Sequence, residues 1–363
     1  MCLRSVLILI VLLSSFPGKG KDSTRTTSTP RKVQVLPVPT FGYAPETRGY
    51  AGAVALFTFR IYPDSLTRFS TAKIEGSYTQ NRQYIGQLSW TGFAQHNAYL
   101  TEGRIDFRRF PELFYGIGNQ TPPSFEELYD SKRIDVDVRF LAKIKSHWFA
   151  GIGYRYFTMY DIESIAGGII DAGGIRGATG STVSGLGYGL RYDSRENRLN
   201  PAGGTAFLSV SHTFFQPALG SGYQFTALEL DARYYIGLHP AHTIAVQTFQ
   251  QYNPGAPPFP MMALLGSSSH MRGYYQGRFR DKHYVSLQAE YRWNFYKRWG
   301  LTLFGGAGEV APQISAFSLP GLHYAAGGGL RFKIDRKENV NIRVDYAVGK
   351  GSNGVYVVFG EAF

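Results

Sequence analysis

From Tyr284 to Phe295 the chain alternates without a break. Ser286, Gln288, Glu290, Arg292 and Asn294 fall on one face, and Val285, Leu287, Ala289, Tyr291, Trp293 and Phe295 on the other. A strand with one charged face and one continuous apolar, aromatic face fits a sheet between water and hydrocarbon. The same period recurs from Arg48 to Phe363, divided by turn chemistry, with no helical period of note. The predicted strands are 48–60, 69–80, 83–94, 98–109, 131–143, 147–160, 182–195, 203–216, 222–236, 241–252, 283–295, 299–309, 322–334, 339–348 and 353–363. Before the 283–295 strand lies a long Pro/Gly-rich connector, and a structureless stretch of that length is functional or folded inward rather than idle.

Short connectors such as Lys145-Ser146, Tyr296-Lys297-Arg298 and Asp335-Arg336-Lys337 alternate with longer ones. Membrane barrels put short turns on the periplasmic side and long loops outside. Counting back from Phe363, the tight turns are periplasmic as far as 143–147. Counting forward from Arg48, Asn81-Arg82 and Phe110-Pro111 are periplasmic, and Gln95–Asn97 is then short for an outer loop. The two counts meet only if one more strand lies between 109 and 131, and Leu113–Asn119 is the candidate. The expectation is an all-β transmembrane antiparallel barrel of sixteen strands, with the long extracellular loop folded into its lumen.

Composition narrows the class. Arg4 followed by the apolar run Val6–Leu13 and small residues to Gly20 reads as a secretory leader, too short to span a membrane. Residues 1–20 are expected to be the leader, 21–44 a disordered periplasmic lead-in and 45–363 the barrel. The one cysteine, Cys2, leaves with the leader, which excludes disulfides and thiolate chemistry. Aromatics at 15% and 43 glycines in an exported chain with no long apolar run suggest an outer-membrane barrel over a secreted sandwich or propeller. The formal charge of +12 suits a lipopolysaccharide-facing surface or a basic lumen. Basic residues are dispersed along strands rather than clustered, so nucleic acid is not an expected partner.

Alternation sends several charged rows inward: Glu102, Arg104, Asp106 and Arg108; Arg133, Asp135, Asp137 and Arg139; Arg191, Asp193 and Arg195; Glu229, Asp231 and Arg233; Glu290 with Arg292; and Arg343 with Asp345. Acids and bases interleave, which describes a salt-bridged interior wall better than a pore selective for one sign. His239 and His242 flank Pro240 and read as a solvated turn rather than a metal pair, and no metal or cofactor is expected.

Several short motifs stand in order along the chain. They are Pro45-Glu46-Thr47, Gly116-Ile117-Gly118-Asn119, the turn Asp193-Ser194-Arg195-Glu196-Asn197 with Pro201 and Gly204, the tip Met271-Arg272-Gly273-Tyr274 followed by Glu290-Tyr291-Arg292, and the end Gly360-Glu361-Ala362-Phe363. Together they resemble the BamA/TamA superfamily of outer-membrane assembly factors, also called bacterial surface antigens, over residues 40–363. The resemblance implies sixteen strands and a loop folded into the lumen, its tip Arg272 paired with Glu290 on the inner wall. Gly273 would allow the tip turn, and Tyr274 would pack beside it. The family carries an aspartate where Gly306 stands here. Either Glu290 holds the contact alone, or Asp281 or another lumen acid joins it. Asp193, Arg195, Asn197, Pro201 and Gly204 would form a periplasmic turn, and their local turn chemistry alone would account for them. Phe363, on one face with Phe359, Val357 and Val355, looks like a C-terminal assembly signal.

The implied function is insertion or translocation of proteins at the bacterial outer membrane, with the seam between the first strand, 48–60, and the last, 353–363, opening laterally. The alternative is a passive channel or structural protein that keeps the scaffold. No hydrolase or phosphate-loop signature stands in the chain, so an enzyme is not expected. Expected partners are outer-membrane lipid and lipopolysaccharide, unfolded outer-membrane proteins, and a separate periplasmic partner in place of receiving domains.

Overall fold

The computed structural model describes residues 33–44, 48–61, 67–109, 111–172, 174–195, 197–201, 203–335 and 339–363. The expected leader, the lead-in over 21–32, Pro45-Glu46-Thr47, Glu196 and Arg336-Lys337 lie outside the described residues. The strands are β1 (Gln34–Ala44), β2 (Arg48–Phe59), β3 (Ser70–Thr79), β4 (Tyr84–Ala94), β5 (Tyr99–Arg109), β6 (Glu112–Phe114), β7 (Glu127–Lys145), β8 (Trp148–Glu163), β9 (Ser181–Asp193), β10 (Thr205–Phe215), β11 (Phe225–His239), β12 (His242–Tyr252), β13 (Ala263–Leu265), β14 (Phe279–Asp281), β15 (His283–Tyr296), β16 (Trp299–Ala311), β17 (His323–Asp335), β18 (Val340–Gly349) and β19 (Ser352–Phe359). All but the three-residue β6, β13 and β14 form one antiparallel meander of sixteen strands, each paired with its successor. β19 lies alongside β1, and no paired register joins them among the described residues.

The strands alternate as their sequence dictates. On β15, Gln288, Glu290 and Arg292 are buried while Leu287, Tyr291 and Trp293 are exposed. Outward Ile105, Phe107, Leu303 and Tyr346 continue that apolar belt around the wall. An apolar surface of such extent belongs in hydrocarbon. Inside, the charged rows cross-link neighbouring strands: Arg104 pairs with Asp135 (2.8 Å), Arg155 with Glu229 (2.6 Å), and Arg191 with Glu102.

Three expectations are corrected. Residues 34–44 are not lead-in but β1, paired along its length with β2, so the barrel begins there rather than at 45. Leu113–Asn119 is not a spanning strand. Only Glu112–Phe114 pairs, against an extension of β7 above the point where β7 leaves β5. The count of sixteen stands, but the sixteenth strand is at the N-terminal side, which reverses the sidedness of the first turns. Connectors 80–83, 110–126, 164–180, 216–224, 253–282 and 312–322 share one end, the loop end. Connectors 95–98, 146–147, 194–204, 240–241 and 297–298 share the other, the turn end. Gln95–Asn97 is therefore an ordinary tight turn, and Asn81-Arg82 belongs with the loops. Thirdly, the last strand stops at Phe359. Gly360 takes φ 84°, which breaks the alternation and turns Glu361–Phe363 into the lumen instead of along the outer wall.

The loop end is roofed by an apolar cluster drawn from three connectors and the strand tips beneath them. Phe114, Tyr129, Met159, Ile170, Phe215 and Phe259 are among its buried members. Phe114 stands edge-on to Tyr129 (6.5 Å) and to Phe259 (5.6 Å), joining the 110–126 connector to the 253–282 loop. Phe114→Ala is expected to cost about 3 kcal/mol or more. A lowered midpoint of urea unfolding in detergent, with strand content by circular dichroism retained, is the check.

Candidate functional site

The 253–282 loop descends between β12 and β15 and lies against the inner wall of β15 to β19. Its tip is fastened by backbone and side chain together. Ser267 Oγ accepts from the backbone N–H of Ser269 (3.1 Å) and His270 (2.8 Å) and so fixes the turn. Gln288 on β15 donates to the Ser269 carbonyl (2.7 Å), and Arg343 on β18 donates to that of Ser268 (2.7 Å). His270 packs its ring, tilted by 33°, against Phe249 of β12 (4.4 Å between rings).

Arg272 is 2% exposed. Its guanidinium pairs with Glu290 on β15, as the resemblance implies, and with Asp345 on β18 (2.6 Å). It also lies over the ring of Phe304 on β16, 3.5 Å from the centroid. Two carboxylates and a π face supply what a guanidinium withdrawn from water needs. The open question of the missing acid is thereby answered. Asp345 is the second partner, while Asp281 accepts instead from the backbone N–H of Lys282 (2.8 Å). Gly306 has no room for the family's aspartate, because a Cβ there would stand 2.9 Å from Cβ of Gln288 and 3.0 Å from the Leu287 carbonyl.

Gly273 has φ 109°, and a Cβ on it would lie 2.8 Å from the backbone of Val348. Only glycine lets the tip approach β18 so closely. Its N–H donates to Tyr356 Oη on β19 (3.0 Å). Tyr274 Oη donates to the Tyr324 carbonyl (2.9 Å) and accepts from the Lys350 N–H (2.9 Å), so the ring seats on the bare backbone of Gly349. Met271 is buried beside it, with Tyr284 and Val310.

Two ion chains continue from Arg272 towards the turn end. Glu290 also holds Arg292 (2.8 Å), which donates to the Phe363 carbonyl oxygen (2.8 Å) and lies over its ring. Asp345 also holds Arg331 (2.5 Å) and Arg343 (2.6 Å), and Arg331 in turn pairs with Glu361 (2.8 Å). Loop tip and tail, entering from opposite ends, thus share the same wall acids.

The Asp193–Gly204 turn sits at the turn end, apart from Arg272. Asp193 receives Arg195 (2.9 Å) and Arg198 (3.0 Å), Asn197 Oδ1 caps the N–H groups of Leu199 (2.8 Å) and Asn200 (3.0 Å), and Pro201 is buried. Gly204 N–H donates to Tyr235 O (2.7 Å), and the Leu199 carbonyl accepts from Glu361 N–H (3.4 Å), so this turn also meets the tail. Between wall and loop remains a cavity of about 610 Å³, lined by Glu102, Arg104, Arg133, Arg155 and Glu229 with Met261 of the loop.

Sequence reasoning placed Asp345 on the inner face but did not pair it with Arg272; strand parity was the available signal. Phe304, Tyr356 and the tail contacts of Arg331 and Arg292 were missed. Nothing in the period announces that Gly360 ends the strand.

Asp345 serves three guanidiniums and Glu290 two, so their truncations should differ. Asp345→Ala is expected to cost about 4 kcal/mol, the middle of the range for a broken buried pair, and Glu290→Ala about 3, its lower end. Combining Arg272→Ala with Glu290→Ala should cost clearly less than the sum, because both remove one contact. Urea midpoints of the reconstituted barrel measure all of these, and additive losses would show that the residues do not interact.

A match to the Omp85 superfamily domain spans residues 70–363. No curated protein matches the chain in sequence. Among solved structures, BamA from Haemophilus ducreyi lacking POTRA domains 1–3 superposes with a TM-score of 0.59 at 14% identity, covering 91% of this chain and 70% of that one. CdiB from Acinetobacter baumannii gives 0.59 at 12%, covering 90% and 60%. CdiB from Escherichia coli gives 0.58 at 11%, covering 91% and 68%. At these identities the likeness is one of fold, and the chain spans only part of the length of each of the three.

Proposed function

This chain belongs to the Omp85 superfamily, an outer-membrane β-barrel, and from that premise we propose that it inserts or translocates proteins at the bacterial outer membrane. Its clients are unfolded outer-membrane proteins, delivered by a separate periplasmic partner, and the proposal assigns it no catalytic chemistry. The observation that carries the reading is the junction of β1 and β19, which lie side by side without a paired register among the described residues. A sheet interrupted at one junction can admit a strand there at little cost in broken hydrogen bonds.

The interior argues for work at that junction rather than through the lumen. The loop tip, the Asp193–Gly204 turn and the tail are each tied to the wall by buried polar contacts. A passive channel would need an open path, and the mixed-sign cavity is the one feature that favours it.

Reconstituted in liposomes, the barrel is expected to accelerate folding of an unfolded outer-membrane protein over empty liposomes by about tenfold, a barrier reduction near 1.4 kcal/mol. Arg272→Ala should abolish most of the gain. Planar-bilayer recording should show no persistent conductance. A steady conductance with unaltered client folding would favour the passive channel and sink the assembly reading.

A further inference from the structure

The inner wall carries two like-charged pairs on neighbouring rungs, and only one of them is neutralised from within. Asp106 on β5 stands directly opposite Asp135 on β7, and two residues nearer the loop end Arg108 stands directly opposite Arg133. Like charges facing each other across a ladder repel. The acid pair is clamped by Arg104, which reaches both Asp106 (2.7 Å) and Asp135 (2.8 Å), and Gln87 donates to Asp106 as well (2.6 Å). Among the described residues no carboxylate clamps the arginine pair in return. Arg108 has a longer contact (3.2 Å) with the same Asp106 that Arg104 holds. Arg133 draws on Glu112 (2.6 Å), which also accepts from Tyr129 Oη (2.8 Å) and feels the charge of Arg280 on β14. Arg280 is buried with its guanidinium over the rings of Phe114 (5.0 Å) and Phe259 (5.6 Å), and it makes no ion pair of its own among the described residues.

Four guanidiniums, Arg104, Arg108, Arg133 and Arg280, thus meet three carboxylates, Asp106, Asp135 and Glu112. Deeper along the same wall the charges balance, with Arg139, Arg155 and Arg191 against Glu102, Asp137 and Glu229. Nε of Arg108 and Nε of Arg133 are buried without an acceptor, a state that buried polar groups rarely keep. Both side chains line the 610 Å³ cavity, opposite Met261, Met262 and Leu264 of the loop. Arg108 keeps 26% of its side chain exposed and Arg104 45%, so solvent reaches the pair. We propose that the lumen holds a site for a small organic anion, whose carboxylate or phosphate bridges Arg108 and Arg133 as Arg104 bridges Asp106 and Asp135. Forked guanidiniums take such oxyanions by paired, charge-assisted hydrogen bonds, and a cavity of this size suits a small ligand. The apolar part of the anion would lie against Met261, Met262 and Leu264. Bound there, it ties the 253–282 loop to β5 and β7, a stretch of wall that the Arg272 contacts do not reach. The site stands independently of the assembly reading.

The test is titration calorimetry of the full-length barrel in lipid nanodiscs, with benzoate and phenyl phosphate as probes. Saturable binding at one site per barrel is expected, and the tighter probe assigns the head group as carboxylate or phosphate. Arg108→Gln should weaken it by about tenfold or more, the worth of one charge-assisted hydrogen bond. Arg133→Lys, which keeps a charge for Glu112 but loses the fork, should do the same. Arg109→Gln, on the exposed partner of Asp130, should leave binding unchanged. Without probe, Arg108→Gln relieves a repelling pair and should hold or raise the urea midpoint. With probe, the midpoint should rise in the unsubstituted barrel and in neither binding variant. No saturable heat with either probe, or binding that both variants retain, would overturn the site. A probe-free midpoint well below that of the unsubstituted barrel in Arg108→Gln would also overturn it, because the pair would then be holding the wall.

Discussion

One buried guanidinium organises the interior. Arg272 cannot stay in a lumen filled by protein unless charge and π density surround it, and Glu290, Asp345 and Phe304 do so from three different strands. Each acid also serves other arginines, so the loop tip shares its partners with Arg292, Arg331 and Arg343. The same arginines hold the carbonyl of Phe363 and the carboxylate of Glu361. Loop and tail are therefore not two independent plugs. They are two ends of one ion network.

The wall is shaped to permit this. Where the tip lies, β16 to β18 carry glycine and alanine on the inner face, and a side chain at Gly349 would occupy the place of the Tyr274 ring. A side chain at Gly306 would collide with Gln288, and the second acid on Arg272 is Asp345, two strands away on β18. In this chain the guanidinium has its two acids on β15 and β18, with the aromatic ring on β16.

Much of this was legible from the sequence, and the failures share a cause. Two-residue periodicity gave every spanning strand from β2 onward and put Glu290, Arg292, Arg343 and Asp345 on the inner face. The tip Met271–Tyr274 was found because glycine between arginine and an aromatic is a compact local pattern. β1 was missed because Val35-Leu36-Pro37-Val38-Pro39 carries no polar–apolar alternation and its prolines read as loop. With it missing, parity demanded a strand elsewhere, and Leu113–Asn119 was drafted wrongly. The tail was misread because one backbone angle at Gly360, invisible to periodicity, separates a strand on the outer wall from a segment inside the lumen. Which inward acid meets which inward base is set by barrel closure, not by spacing along the chain.

The proline pair that hid β1 also bears on how the molecule works. A sheet of sixteen strands has fifteen internal junctions that its own hydrogen bonds fill, and one where the ends meet. Had β1 offered a full set of donors, that junction would be as strong as any other and the barrel mechanically uniform. Pro37 and Pro39 lack donors on β1, and among the described residues no paired register joins β1 to β19. β19 is also the strand whose continuation, Glu361 to Phe363, is held by Arg331 and Arg292. The unpaired junction and the ion network therefore meet at β19.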